Sequence, residues 1–370
     1  MRALTMGAQT MKTSILAGVL TLAVVWGLTT APQPAAAGEA SSSDYKVLAP
    51  IRQGNLTIFP VVAGGGRDTK DFLTLDEGLR SGDVVVTESG GIQPLVRGRN
   101  RPVPVHDGAQ VNQLALVNNS KRPLLLLAGE IVTGGKQDRV IGKDRIVPAE
   151  SEPIDLGVFC VEPGRWVAKS ANFGALGGNM AAPSVRLRAM KDKDQQQVWN
   201  SVRSAQTNIA AGMSASETVE VTATSSYADV MVNKSVERKL DKIAAPIERD
   251  YSKLIRELRD RNAVGVVVAV NGEIIWADIF ASTQLLEKYW PKLVRSYATD
   301  ALVSQVKDRE VSEKSAQAFV DQLSGNHETM EREPGLYRHT EVNGDGYKVF
   351  LLASLLPKMN YDVHIAKMAE

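Results

Sequence analysis

The sequence predicts an α+β protein: a β-rich N-terminal half, sandwich or barrel-like, followed by helix and β-hairpin units. Three observations carry this. Short apolar runs bounded by glycine and proline fill residues 45–170. Apolar residues then recur at steps of three and four over 191–211 and 236–258. Turn sequences at Asn271-Gly272 and at Asn343–Gly346 each separate two β-type runs.

The first residues read as an address rather than as structure. Lys12 supplies a positive start, Ser14–Leu28 is an apolar run of 15 residues, and Ala35–Ala37 offers a small-residue cleavage site. This is the layout of a secretory signal peptide, with translation starting at Met1 or Met11. The run is shorter than the ~20 apolar residues of a membrane span; an uncleaved N-terminal anchor is the alternative. Cleavage after Ala37 leaves 333 residues and a charge of −1 instead of +1, because the leader holds Arg2, Lys12 and no acid. A secreted or periplasmic product is expected, with residues 38–44 as a flexible lead-in. Near-neutral charge, with acids and bases interleaved, gives nucleic acid no support as a partner. Cys160 is the only cysteine, so an intrachain disulfide is excluded and stability must come from apolar burial.

Leu56–Val62 and Asp83–Ser89 are strands ended by glycines. Val111–Asn118 alternates apolar and polar residues, as a half-buried strand does. The turn cluster Asn118–Pro123 should join it in a hairpin to the leucine strand that starts at Leu124. Arg139–Ala149 and Pro153–Glu162 continue the β pattern, and the glycine- and alanine-rich stretch Gly174–Ser184 reads as a loop.

A helix is expected over Lys191–Ala211 with Val198, Val202, Ala205 and Ile209 on one face. A second places Val236, Leu240, Ile243, Ile247, Tyr251, Leu254, Ile255 and Leu258 in one stripe, with Pro246 kinking or splitting it. Val264–Phe280 is a hairpin with a type I′ turn at Asn271-Gly272. A helix capped by Ser282 or Thr283 follows, with Pro291 bending it or starting a second helix, and then a hairpin turning at Asn343–Gly346.

Known site patterns fail on spacing. A phosphate loop ending in Gly135-Lys136 would need glycine at Glu130 and a hydroxyl at Gln137. No G-x-G-x-x-G follows a strand, so no dinucleotide cofactor is expected. His106, His327, His339 and His364 lack metal-ligand spacing, and no metal is expected either. No G-x-S-x-G elbow marks a nucleophilic serine.

One constellation remains. Glu130, Lys136, Gln137, Asp138 and Arg139 crowd one strand–turn region, and Glu162, Arg165 and Trp166 follow a neighbouring strand. Cations beside an indole suit an anionic or planar ligand; two carboxylates could divide acid and base roles. The plain alternative is a set of ion pairs that anchors a strand crossing.

These residues also carry a resemblance. The run from Leu126 to Ile141, Ile146–Ser151 and Ile154–Trp166 resembles the ARG and rhodanese-phosphatase-superfamily-associated protein domain. Val264–Phe280 followed by Tyr289–Leu302 resembles its second block. The resemblance covers 45–357, one domain with a β-rich part over 45–170, an α+β part over 185–357 and a tail over 358–370. The family is named for its association with ADP-ribosylglycohydrolase and rhodanese-phosphatase proteins, which implies ADP-ribose or phosphorylated ligands. The matching positions are Gly129, Glu130, Lys136, Gln137, Arg139, Cys160, Glu162, Arg165 and Trp166, and the resemblance assigns none of them a catalytic role.

The leading expectation is an exported protein that binds a small anionic or sugar-like ligand through Lys136, Gln137, Arg139, Arg165 and Trp166, with Glu130 and Glu162 in the same wall. A second reading is a hydrolase using Glu130 and Glu162 as acid and base, with Arg139 or Arg165 stabilising negative charge. A third is a protein-interaction scaffold presenting the apolar stripe of Val236–Leu258.

Overall fold

The computed structural model describes residues 44–89, 112–258, 261–307 and 309–370. The leader read in 1–37, most of the lead-in and His106 lie outside these residues. The chain enters through β1 (Tyr45–Val47), β2 (Ile51–Gln53) and β3 (Leu56–Ala63). β4 (Leu73–Thr74) passes directly into α1 (Leu75–Ser81) at a capping box. There the Thr74 hydroxyl accepts Glu77 N and the Glu77 carboxylate accepts Thr74 N. Eight short strands follow: β5 (Val84–Glu88), β6 (Gln113–Asn118), β7 (Leu124–Leu126), β8 (Glu130–Thr133), β9 (Arg139–Ile141), β10 (Arg145–Val147), β11 (Ile154–Cys160) and β12 (Gly174–Met180).

The helical stretch comprises α2 (Pro183–Leu187), a π-helical turn at Arg188–Asp192, α3 (Gln195–Ala211), α4 (Ala215–Thr222), α5 (Tyr227–Met231) and α6 (Lys234–Glu257). β13 (Asn262–Val270) and β14 (Glu273–Phe280) form the expected hairpin, with Asn271 at φ 55° and Gly272 at φ 75°. Then come α7 (Thr283–Val303), α8 (Glu313–Asp321), β15 (His327–Glu333), β16 (Tyr337–Gly344), β17 (Tyr347–Leu356) and β18 (Met359–Ala369).

The largest sheet is antiparallel and runs β1-β3-β13-β14-β18-β17-β16-β15, with β2 also on β3. Its two faces serve two cores because side chains alternate along a strand. Leu56, Ile58 and Val62 of β3 face the core shared with α6 and α7; Phe59, Val61 and Ala63 face the core that holds Ala316 and Val320 of α8. A six-stranded sheet, β12-β8-β9-β11-β6-β5, curls into half a barrel beside the three-stranded β10-β7-β4. Leu114, Leu116, Leu124, Leu126, Val147 and Leu156 fill the space between them.

α7 explains itself by composition. It is buried almost all round, from Leu285 to Ala301, and its N-terminus is capped by Ser282 accepting Leu285 N at 3.0 Å. Apolar residues reach most of its circumference, and the buried polar ones Lys292, Ser296 and Asp300 are hydrogen-bonded to Glu130, Ala181 and Ser184 of neighbouring elements, respectively. It packs against β12, β13 and α6.

Several expectations are corrected. The leucine strand β7 does not pair with β6: it bonds antiparallel to β10 and parallel to β4, while β6 bonds β5 and β11. β6 is buried on both faces rather than one. Arg139–Ala149 is two strands in different sheets. The glycine-rich Gly174–Ser184 is a strand and a helix start; its register breaks where Gly177 and Gly178 take positive φ, which no side chain opposes. Neither Pro246 nor Pro291 ends its helix. Residues 358–370, read as a tail, form β18 between β14 and β17. The stripe of α6 is turned inward, with Val236, Leu240, Ile247 and Tyr251 buried, so this helix offers a partner no exposed apolar face.

Candidate functional site

After β8 the chain must reverse within five residues to start β9. Gly134 at φ 128° and Gly135 at φ 48° make the reversal. A Cβ on Gly135 would lie 2.2 Å from Phe173 Cζ and 2.6 Å from Glu88 Oε1, so a larger residue must displace these side chains and also bear the strain of a positive φ. Asp138 stabilises the loop from within: its Oδ1 accepts Gly134 N at 2.9 Å and its Oδ2 accepts Ser226 Oγ at 2.7 Å. Glu88 of β5 accepts Lys136 N at 2.7 Å.

The segment following β11 closes over this loop. Glu162 accepts Asp138 N at 3.1 Å, and the Gln137 side-chain amide donates to Glu162 O at 2.8 Å. Arg165 forks onto Glu162, Nε to Oε1 at 2.8 Å and Nη2 to Oε2 at 2.6 Å. Its remaining donors reach the carbonyls of Gly135 at 2.6 Å, Val167 at 2.7 Å and Gly134 at 3.3 Å, and Asp138 Oδ1 at 3.4 Å. A guanidinium has five N–H donors, and here all five are engaged. Arg165 is therefore a clasp on the loop. It has no fork left for a ligand anion.

Burial, and the charge of Glu162 behind it, hold Asp138 above its usual value despite the hydrogen bonds from Ser226 and Gly134. Burial also acts to raise Glu162, but Arg165 and the Asp138 amide outweigh it, leaving that carboxyl below the usual range.

Beside the clasp is a hollow of about 500 Å³, lined by Thr133, Gly134, Asp138, Lys169, Ser170 and Asp229 together with Ala175, Leu176, Gly177, Ala228 and Val232. Lys169 Nζ stands 3.5 Å from Asp229 and 3.9 Å from Glu162, and about half of the Lys169 and Asp229 side chains is exposed. Lys136 Nζ lies 5.4 Å from the ring centre of Trp166, which is 50% exposed.

The structure thus brings together Lys136, Gln137, Asp138, Glu162, Arg165 and Trp166. Arg139 follows the loop as the first residue of β9 and is fully buried, its Nη1 donating to Asp138 O at 3.4 Å. Glu130 is at the opposite end of β8, in another charge cluster. One oxygen accepts Leu127 N at 2.8 Å; the other meets Lys292, which also contacts Asp76 at 2.9 Å. Burial raises Glu130 while Lys292 opposes it, and Lys292 in turn is raised by Glu130 and Asp76 against its own burial. Glu130 and Glu162 share no partner, and each is matched by its own cation. Lys169, Ser226 and Asp229 were not among the expected site residues. Their only local signal is Ser226-x-x-Asp229, a helix-start pattern in which Ser226 accepts Asp229 N at 3.0 Å.

A third charge cluster is wholly enclosed. Arg186 forks onto Asp278 at 2.9 and 3.0 Å and lies 4.4 Å from the ring centre of Trp276. Tyr297 donates to Asp278; His364 Nδ1 lies 2.6 Å from Asp144 and its Nε2 3.2 Å from Asp278. Burial works against charging His364, but Asp144 and Asp278 outweigh it and push it up to about 9. The two cations match two carboxylates, so the interior carries no net charge here.

Among the described residues no group of His, Cys, Asp and Glu could hold a metal ion, and no helix is long and apolar enough to cross a membrane. The architecture defines an α+β protein whose strand-end loop is locked by an arginine clasp beside an open hollow of mixed polar and apolar lining. The chain belongs to the family of the ARG and Rhodanese-Phosphatase-superfamily-associated Protein domain, whose model matches residues 44–366. No curated protein and no solved structure matches it.

Proposed function

We propose that this protein is exported and that it binds a small, neutral, sugar-like ligand in the hollow beside the clasp. The observation that carries the reading is the division of labour around Arg165. The strongest anion-binding fork is consumed by Glu162, Asp138 and loop carbonyls, while Lys169 and Asp229 remain partly exposed at the rim. A donor and an acceptor side by side suit hydroxyl groups, which both give and take hydrogen bonds. The nearby carboxylates Asp138, Glu162 and Asp229 disfavour a multiply charged anion. Lys136, Gln137 and Trp166 support the loop and its outer edge.

Titration calorimetry with monosaccharides, ribosides and inorganic phosphate tests this. Lys169→Ala and Asp229→Asn should each weaken sugar or riboside binding by about tenfold or more, the scale of a lost hydrogen bond to a charged group, with little change in melting temperature. Binding of phosphate in preference to every sugar and riboside would sink the reading, as would unchanged affinity in both variants. Export is tested separately, by N-terminal sequencing of the product recovered outside the cytoplasm; a start near residue 38 is expected.

A further inference from the structure

β15 is the outer strand of the large sheet, and all seven of its residues are exposed. One side bonds β16; no described residue bonds the backbone of the other side. An open edge of this length is a template for another strand. Its sequence, His-Glu-Thr-Met-Glu-Arg-Glu, limits what it can accept.

Antiparallel partners must pair residues that face the same side, so a twofold axis between two copies of β15 passes through a single residue position. Centring on Glu328, Glu331 or Arg332 sets like charges against each other. Centring on Thr329 leaves Glu333 outside the pairing and puts Glu328 opposite methionine. Centring on Met330 pairs the whole strand: Glu328 meets the second copy's Arg332, His327 meets its Glu333, Thr329 meets its Glu331, and the two methionines meet on the axis. Glu328, Met330 and Arg332 share one face, since they lie opposite Val342, Thr340 and Arg338 of β16. Among the described residues, of these charges only Glu331 has an ion-pair partner, Lys143 at 2.6 Å. Met330 is a large apolar side chain left 60% exposed.

We propose that two copies of this chain associate through β15, antiparallel, about a twofold axis at Met330. The two large sheets then become one continuous sheet. The occupant is a second copy because this register sets opposite charges against each other over the whole strand, whereas the others weighed set like charges together or leave part of it unpaired.

Sedimentation velocity of the full chain should show a monomer–dimer equilibrium. Each symmetric dimer contains the Glu328–Arg332 pair twice, so Glu328→Arg or Arg332→Glu alone replaces two favourable pairs with two repulsive ones and should raise the dissociation constant by about tenfold or more. The double variant should restore wild-type association. As an independent check, Met330→Cys should form an interchain disulfide under mild oxidation far faster than Val306→Cys, another exposed position; the native Cys160 is buried and does not compete. A wild-type chain that stays monomeric at about 200 µM, well above the micromolar range of weak specific pairs, overturns the proposal. So does a dimer indifferent to the single swaps, or one that the double variant fails to restore.

Discussion

Replacing Lys292 by methionine keeps the length of the side chain and removes its charge. The consequence falls on Glu130, which is fully buried and has Lys292 as its cation and Leu127 N as its remaining donor. Breaking a buried pair from one side costs about 3–5 kcal/mol, because the other charge is left uncompensated. Unfolding entropy is ~2.1 cal/mol/K per residue, so for the roughly 330 residues of the unit Ala37–Glu370 the loss corresponds to about 4–7 °C in melting temperature. The pH dependence gives a sharper check. Burial already raises Glu130, and without Lys292 it rises further. A carboxyl raised on folding stabilises the protein below its unfolded pKa of 4.5, and this is lost as pH climbs through the folded value. The deficit of Lys292→Met relative to wild type should therefore be smaller at pH 5 than at pH 8. Urea denaturation at both pH values measures it. A deficit below about 1 kcal/mol, or one independent of pH, would refute the view that this pair is a buried, mutually dependent unit.

His364 gives the complementary case. Its folded value of about 9 against 6.5 corresponds to roughly 3 kcal/mol, fully present below pH 6.5 and lost as pH rises toward 9; His364→Gln should flatten that decline in urea midpoints. Gly135→Ala should destabilise by about 1–3 kcal/mol, since it combines a positive φ with a clash on Phe173, and thermal melts will show it. Arg165→Ala should lower the melting temperature and abolish ligand binding together, whereas Lys169→Ala should affect binding alone; equal melting losses in the two would place Lys169 in the clasp.

What the sequence made legible follows its local signals. The Asn271-Gly272 turn, the cap at Ser282 and the stripe Val198–Ile209 each report on residues a few positions apart, and all three are found as read. The partners of β6 and β7 lie 19 or more residues away in the chain, the nearest pair being Leu126 and Arg145, so adjacency suggested a hairpin that tertiary pairing overrides. Gly174–Ser184 looked like a loop because its glycines hide a bulged strand. The site divides the same way. Gln137, Glu162 and Arg165 converge, since two neighbouring strands end there. Glu130 does not, because four residues of β8 carry it to the other end of the strand, and Lys292, its cation, sits on a helix over 160 positions later.

The placement of β18 affects how the protein is made. Residues 359–369 sit between β14 and β17 and contribute His364 to the enclosed charges. In a chain that lacks this segment, β14 and β17 each present a bare edge, and Asp144 and Asp278 lose His364. A polypeptide stalled short of residue 359 is thus a sticky, half-finished sheet rather than a shortened native protein, and quality-control proteases and chaperones would meet it in that form.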